Sequence, residues 1–197
     1  MAFLRSVSAA DSLPQLHGHE LFLRVPAAGD YAAWAELRAR SRNFLIPWEP
    51  TWAHDELTRT AYRRRLRQYY KELREETGYA LFAFRASDQE LLGGISLTNV
   101  RRGVTQAVTL GYWMGAPHAG RGYMTEAVRV LIPFVFEHLW LHRLEAACLP
   151  GNIASTRVLE KNGFQCEGHA RRYLRINGTW QDHSLYGLVA GDPVFSR

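Results

Sequence analysis

Apolar and polar positions change rhythm several times along the chain, and each change marks an element. "ELFLRVP" alternates as a first strand does, and from Asp30 to about Arg40 the apolar residues recur on one helical face behind an Asp at a capping position. A second helical stretch runs from about Asp55 to Glu76. "YALFAFRA", "LLGGISLTNV" and "QAVTLGYWM" then follow as strands separated by the turn-formers "SDQE" and "RRG", which predicts an antiparallel meander. A glycine loop, "PHAGRGYM", leads into "TEAVRVLIPFVFEHLWL", a buried helix that Pro133 should kink. "HRLEAACL" is a strand, "IASTRVLEKNG" a short helix ended by Gly163, and "FQCEGHARRYLRI" with "DHSLYGLV" a final hairpin around "NGTW". The pattern gives mixed α/β with a central, partly antiparallel sheet.

Composition narrows the picture. The chain has 197 residues, 47% of them hydrophobic and 22% charged, which suits one domain over residues 1–197 and argues against disorder. No repeat, low-complexity tract or linker divides it. The longest apolar candidate for a membrane span, "VRVLIPFVFEHLWL", falls short of about 18 residues and contains Arg129, Pro133, Glu137 and His138, so no membrane association is expected. The N-terminal "MAFLRSVSAADSL" lacks the long apolar stretch of a secretory signal, and a cytoplasmic location is the default. Cys148 and Cys166 are too few for a disulfide framework and are expected to be reduced, strand-borne and buried.

The net charge is +5, and of 24 basic residues only Lys71 and Lys161 are lysine. Such an arginine excess suits phosphate binding or a ribosomal neighbourhood. "YRRRLRQYY" nevertheless sits in a helical segment followed by the acidic "KELREE", and with no nucleic-acid-binding motif in the chain a solvated basic surface is favoured over a nucleic-acid site.

The glycine loop carries the first chemistry. Gly120 and Gly122 free the backbone to approach a ligand, and the following helix N-terminus offers unpaired N–H groups and partial positive charge, which suits a phosphate. An ordinary strand-to-helix turn would look the same in isolation.

The flanks add a resemblance. "GYWMGAPHAGRGYMTEAV" and "HRLEAACLPGNIASTRVLEKNGFQCEG" resemble the acyl-CoA loop and following strand and helix of the GNAT acetyltransferases. "FLIPWEP", "NVRRG" and "YLRINGTWQDHSLYGL" resemble the RimJ/RimL branch, RimJ more closely, which acetylates N-terminal amines of ribosomal proteins. The blocks extend from about Phe44 to Leu188. The resemblance implies a GNAT-like, mostly antiparallel sheet flanked by helices, and acetyl-CoA as cosubstrate with no metal. The family's phosphate loop begins with Gln or Arg, whereas Pro117 stands there in this chain; the backbone cradle does not depend on that side chain.

By resemblance, the backbone of Ala119, Gly120, Arg121, Gly122, Tyr123 and Met124 holds the CoA pyrophosphate. Arg121 either adds charge or, as the free position of the motif, points to solvent. Trp113 and Met114 supply backbone contacts to the pantetheine arm and the oxyanion donor, their side chains belonging to the core. Asn152 binds the cofactor and Ser155 the CoA sulfur, which makes Ser155 the candidate donor to the leaving group; both are also favoured helix caps. The tyrosine that serves elsewhere in the superfamily is replaced by Leu159, and a glutamate used by the RimL-like branch falls at Leu174.

Glu49, in a proline-fixed loop between Trp48 and Trp52, is the candidate for holding or deprotonating the acceptor amine, the competing reading being an exposed loop acid. Glu126 in the first turn of its helix suits the dipole better than catalysis. His138, His142 and His183 lack metal-ligand spacing, and Asp182 with His183 either borders the peptide entrance or serves the "GTW" turn. Three functions remain open: an N-terminal protein acetyltransferase, a small-molecule amine acetyltransferase and a CoA-binding module without turnover. The acceptor protein's identity and the choice between monomer and homodimer are not written in the chain.

Overall fold

In a computed structural model that describes residues 13–192, the strands form a single eight-stranded sheet of order β1-β2-β3-β4-β5-β6-β8-β7. They are β1 (Leu16–His17), β2 (Leu21–Arg24), β3 (Tyr79–Arg85), β4 (Leu91–Arg101), β5 (Ala107–Met114), β6 (Arg143–Cys148), β7 (Gln165–Ile176) and β8 (Thr179–Val189). Every pairing is antiparallel except β5 with β6. The meander and the final hairpin stand as the alternation and turn residues predict. All but the last residue of the N-terminal stretch weighed as a secretory signal lie outside the described residues.

Helices cover both faces. α1 (Tyr31–Arg40), the single turn α2 (Arg42–Leu45) and α3 (Arg59–Arg74) precede the meander, while α4 (Tyr123–Pro133) and α5 (Ile153–Glu160) flank β6. Trp34 and Leu37 of α1 and Tyr62 and Leu66 of α3 pack with Phe82 and Phe84 of β3 in one cluster. The larger cluster joins Met124, Ala127, Val128 and Leu131 of α4 and Leu159 of α5 to Leu81, Val108, Leu110, Leu144 and Leu188 of the sheet.

Local details differ from the sequence pattern for definite reasons. Asp30 gives α1 no side-chain cap. Its carboxylate instead takes the Ala27 amide at 2.8 Å and both guanidinium nitrogens of Arg24 at 2.8 and 2.7 Å, closing the preceding turn and anchoring β2. α3 starts at Arg59 rather than near Asp55, because Thr58 Oγ1 accepts from the Ala61 amide. Pro133 does not break its helix. It is the last residue of α4, and the chain continues in a wider π turn, Phe134–His138, in which the Leu139 amide reaches Phe134 O at 2.9 Å. Cys148 is buried as expected, but Cys166 is exposed, because β7 is an edge strand that almost nothing covers.

Candidate active site

β5 and β6 are paired only from Ala107 opposite Arg143 to Leu110 opposite Ala146. Beyond that point β5 continues to Met114 on β4 alone, and β6 continues to Cys148 on β8 alone. The two strands therefore part, leaving the backbone of Gly111–Met114 and of Ala147–Cys148 without partners on the facing edges. A slot opens there in mid-sheet, where an extended ligand finds peptide groups to pair with.

The glycine loop lies at the end of this slot. Gly120 and Gly122 have φ of +76° and +88°, the left-handed region where a side chain is strained, and Gly122 is the N-cap of α4 without any side-chain cap. The amides from Gly120 to Thr125 have no backbone acceptor among the described residues, and the first helical bond is Glu126 N to Gly122 O at 3.0 Å. Ala119 differs from the expectation: its amide closes a turn onto Ala116 O at 3.3 Å, so the free amides begin at Gly120. Gly120, Arg121, Gly122, Tyr123 and Met124 together present a nest of donors on a helix N-terminus, a fit for the pyrophosphate of acyl-CoA.

The loop is held from behind. Ser41, fully buried at the corner of α1 and α2, accepts from the Ala116 amide at 2.8 Å. Gly115 sits so close to Leu37 that an added Cβ would lie 2.5 Å from its side chain. Buried His118 faces Glu90 Oε1 at 3.6 Å, and burial pushes its imidazole below the ordinary value, which keeps it neutral beside the loop.

Across the slot, Asn152 caps α5: its Oδ1 accepts from the Ser155 amide at 3.1 Å. Ser155 is thus not itself the cap, and its hydroxyl is free for another role. Tyr112 of β5 meets it, with Oη at 2.7 Å from Ser155 Oγ and 3.3 Å from Ser155 O. Burial pushes the Tyr112 phenol well above its ordinary value, so it stays protonated at neutral pH. Leu159, where the superfamily carries a tyrosine, is fully buried core. Sequence reasoning missed Tyr112; alternation along "LGYWM" places it on the α4 face, but only the register with α5 reveals its partner.

On the opposite face of β5 the Trp113 side chain packs with the α1 and α3 cluster, and Met114 packs with the larger one, as core side chains should. A Cβ at Gly94 would lie 2.5 Å from the Trp113 indole nitrogen, so that glycine makes room for the ring. Arg38 of α1 was also missed. Its guanidinium, on a residue 7% exposed, sits 5.0 Å from the Trp113 ring and 4.4 Å from Trp52, and grips both oxygens of Glu49 at 2.9 and 2.7 Å. Trp52 Nε1 adds a third bond to Glu49 at 2.6 Å. The legible signal was an arginine on the buried face of α1, one turn after Trp34.

The Glu49 loop touches the final hairpin. Asn177 and Gly178, with φ of +43° and +80°, form its turn, and the Asn177 amide donates to Glu49 O at 2.9 Å. "FLIPWEP" and "INGTWQDH" are thereby neighbours, and between them they carry the exposed apolar side chains Phe44, Trp48 and Trp180. Leu174, where the RimL-like glutamate would fall, is exposed on β7. Asp182 serves a bulge rather than the turn, its Oδ1 accepting from the amide of Arg172, which has φ +48°. His183 is buried against Tyr173. Glu126 Oε1 accepts from the amides of His19 and Glu20, a structural role by a different partner than the dipole alone. Among the described residues no three His, Cys, Asp or Glu side chains cluster as metal ligands, and no helix is long and apolar enough to cross a membrane.

Comparison with known proteins agrees with this geometry. Residues 20–165 match the model of the acetyltransferase (GNAT) domain. The chain is 37% identical to a probable N-acetyltransferase, YjcK, of Bacillus subtilis, over 90% of this chain and 98% of that one. It is 33% identical to the [ribosomal protein uS5]-alanine N-acetyltransferase of Escherichia coli, over 83% and 85%. Mycobacterium smegmatis RimJ, solved in complex with CoA-disulfide, superposes with a TM-score of 0.81 at 31% identity, covering 86% of this chain and 82% of that one. With the parted strands and the glycine loop in the places this chemistry needs them, the chain belongs to the GNAT family as an acetyl-CoA-dependent N-acetyltransferase of the RimJ-like branch.

Proposed function

We propose that the acetyl acceptor is the N-terminal α-amine of a protein, and that ribosomal proteins are the acceptor class. The observation that carries this reading is the state of Glu49, whose two oxygens are already engaged by Arg38 and Trp52. A carboxylate so occupied orients a cationic or neutral amine better than it removes a proton from one. An α-amine with pKa near 8 costs only about 1.4 kcal/mol to deprotonate at pH 7, whereas lysine costs about 4.6 kcal/mol. The acceptor suited to a site with a spent carboxylate is the α-amine. The names of the Escherichia coli and Mycobacterium smegmatis relatives support the ribosomal class.

In this reading the acceptor enters past Trp48 and Trp180, and its amine attacks the thioester carbonyl in the slot in a direct ternary complex. The Met114 backbone N–H, which alternation along β5 turns into the slot while that of Trp113 faces β4, stabilises the oxyanion. As the carbon–sulfur bond breaks, Ser155 donates a hydrogen bond to the departing thiolate, and the proton released by the amine leaves to solvent. For Ser155 to donate to sulfur its own proton must point into the slot, so Tyr112 donates to Ser155 Oγ and holds the hydroxyl in that orientation. Tyr112 is a positioning residue, too weak an acid to give up its proton.

Tyr112→Phe is expected to lower kcat about 10-fold, the worth of one hydrogen bond, with the KM for acetyl-CoA changed less than about 2-fold. In a Ser155→Ala background the same substitution should have no further effect on kcat. Independent, multiplying losses would show that the two residues do not act as one unit. Glu49→Gln is expected to raise the KM for a peptide acceptor with little change in kcat; an unchanged KM between pH 6 and 9 would remove Glu49 from the acceptor site. The reading as a whole is tested by thiol release from acetyl-CoA with peptides beginning Ala, Ser or Met, beside blocked peptides carrying only lysine amine and a panel of small amines. Release confined to small amines would replace a protein acceptor with a small-molecule one.

A further inference from the structure

On the sheet face opposite α4, one buried histidine stands beside the slot. Leu110, Ala146 and Tyr186 pair across β5, β6 and β8, and all three belong to the core under α4. Side chains alternate along a strand, so Trp113 and His183, each three residues away, point to the other face. That is the face on which Trp113 meets the α1 and α3 cluster and Arg38 holds Glu49. The registers also set their level along the strands. Carried on by three residues, the β5–β6 register brings Trp113 level with Leu149, and the β6–β8 register, carried on by one, brings Leu149 level with His183. His183 and the Trp113–Glu49 group thus flank the slot from opposite sides, at about the same level and on the same face. Tyr112, one residue from Trp113, points to the other face with Ser155.

The imidazole is oriented for one task. His183 is 2% exposed, and Tyr173 from the β7 bulge packs edge-on against it with ring centroids 5.9 Å apart. Its Nδ1 lies 3.0 Å from Gln181 O. A carbonyl oxygen only accepts, so Nδ1 carries the proton and the neutral ring has its lone pair on Nε2. Among the described residues Nε2 has no hydrogen-bond partner, yet unlike Nδ1 of His118 it is not sealed from solvent. The basic nitrogen is the one left open.

We propose that His183 is a catalytic residue, the base that takes the proton of the acceptor amine on Nε2. The inference rests on the acceptor amine being held at Glu49, as in the function proposed above. When the amine nitrogen bonds to the thioester carbon it becomes an ammonium, far more acidic than the free amine. One N–H proton passes to the Nε2 lone pair, the carbon–nitrogen bond stays, and the carbon–sulfur bond breaks with its electron pair going to sulfur on the Ser155 side. The imidazolium keeps its Nδ1–H on Gln181 O and gives the Nε2 proton to solvent, while the thiolate takes a proton from water. Imidazole gains and loses a proton near neutral pH, which suits an α-amine. It is too weak a base to free a lysine amine, so the preference for an α-amine stands.

The test removes the base and then supplies one. His183→Asn, whose amide can stand in for the Nδ1–H on Gln181 O, should lower kcat about 100-fold with an α-amine peptide while the KM for acetyl-CoA stays within about 2-fold. Free imidazole should restore part of kcat to His183→Ala and His183→Asn, and across a series of substituted imidazoles the restored rate should rise with basicity. Rescue that follows the size of the added ring and not its basicity would make His183 a packing residue and overturn the proposal, as would a kcat within about 3-fold of native in His183→Asn. Alanine opens a cavity at a buried site, so calorimetric titration with CoA checks that each variant is folded, and the asparagine variant decides where the alanine variant is not. Full kcat in His183→Asn on an α-amine peptide would refute the base and leave the acceptor reading intact. A native enzyme that acetylates only small amines would refute the acceptor reading, and the same variants assayed with such an amine would still decide the role of His183.

Discussion

Ser155→Ala is expected to lower kcat about 100-fold while leaving the folded state intact. A hydrogen-bond donor aimed at charge that develops in the transition state contributes about 100-fold to about 1,000-fold, and the low end applies because thiolate is already a good leaving group. The structure separates this role from capping. Asn152 Oδ1 holds the α5 N-terminus through the Ser155 amide, which alanine retains. Alanine is also the better helix former, so thermal stability should stay within about 2 °C of the native value. The KM for acetyl-CoA should move little, since nucleotide binding is assigned to the loop amides. Full retention of kcat would leave the Tyr112–Ser155 pair as a packing contact between β5 and α5.

The second large effect is expected at Arg38, and it concerns stability first. Arg38→Ala removes a guanidinium that spans Trp52 and Trp113 and strands the Glu49 carboxylate, whose side chain is 19% exposed. Breaking a buried pair from one side costs about 3–5 kcal/mol, and partial exposure of Glu49 points to the lower figure. For a chain of this size that lowers Tm by roughly 6–12 °C. Lysine should not rescue it, having neither the planar fork nor the stacking surface. Because Glu49 O receives the Asn177 amide, the variant should also loosen the contact between the "FLIPWEP" loop and the hairpin, raising the peptide KM well before acetyl-CoA binding suffers. A Tm loss below about 2 °C would mean that the pair contributes no more than a surface ion pair.

What was legible in the chain is what local chemistry dictates. Asn177-Gly178 could be recognised as a hairpin because the turn demands positive φ at both positions, and Gly120 and Gly122 for the same reason. α3 was legible but misplaced at its start, since Asp55 and Thr58 are both capping residues and only Thr58 reaches an amide; Asp55 pairs instead with Arg64. The backbone contacts of Trp113 and Met114 were implied only by resemblance, because the parting of β5 from β6 that frees this edge depends on where a parallel register stops, three residues after it begins. Cys166 looked like a core residue of an alternating strand, yet it lies on an edge that nothing in the local sequence announces.

The site divides in the same way. The loop residues Gly120–Met124, Asn152 and Ser155 sit within motifs, and the fold brings them to the two sides of one slot. Tyr112 and Arg38 act through partners 43 and 11 residues away, so strand alternation and the helix face place the two side chains but not what they touch. Pro133 illustrates the remaining gap: its missing N–H predicts a broken helix, but a π turn absorbs the defect within the core.

The most direct test of the acceptor assignment uses one peptide with both a free N-terminal alanine and an internal lysine, incubated with enzyme and acetyl-CoA, followed by fragmentation mass spectrometry to locate the acetyl group. The account predicts a single acetyl group on the α-amine and an unmodified lysine. Acetylation of the lysine, with the α-amine left free, would contradict it and would require a general base that Glu49, held by Arg38 and Trp52, does not provide.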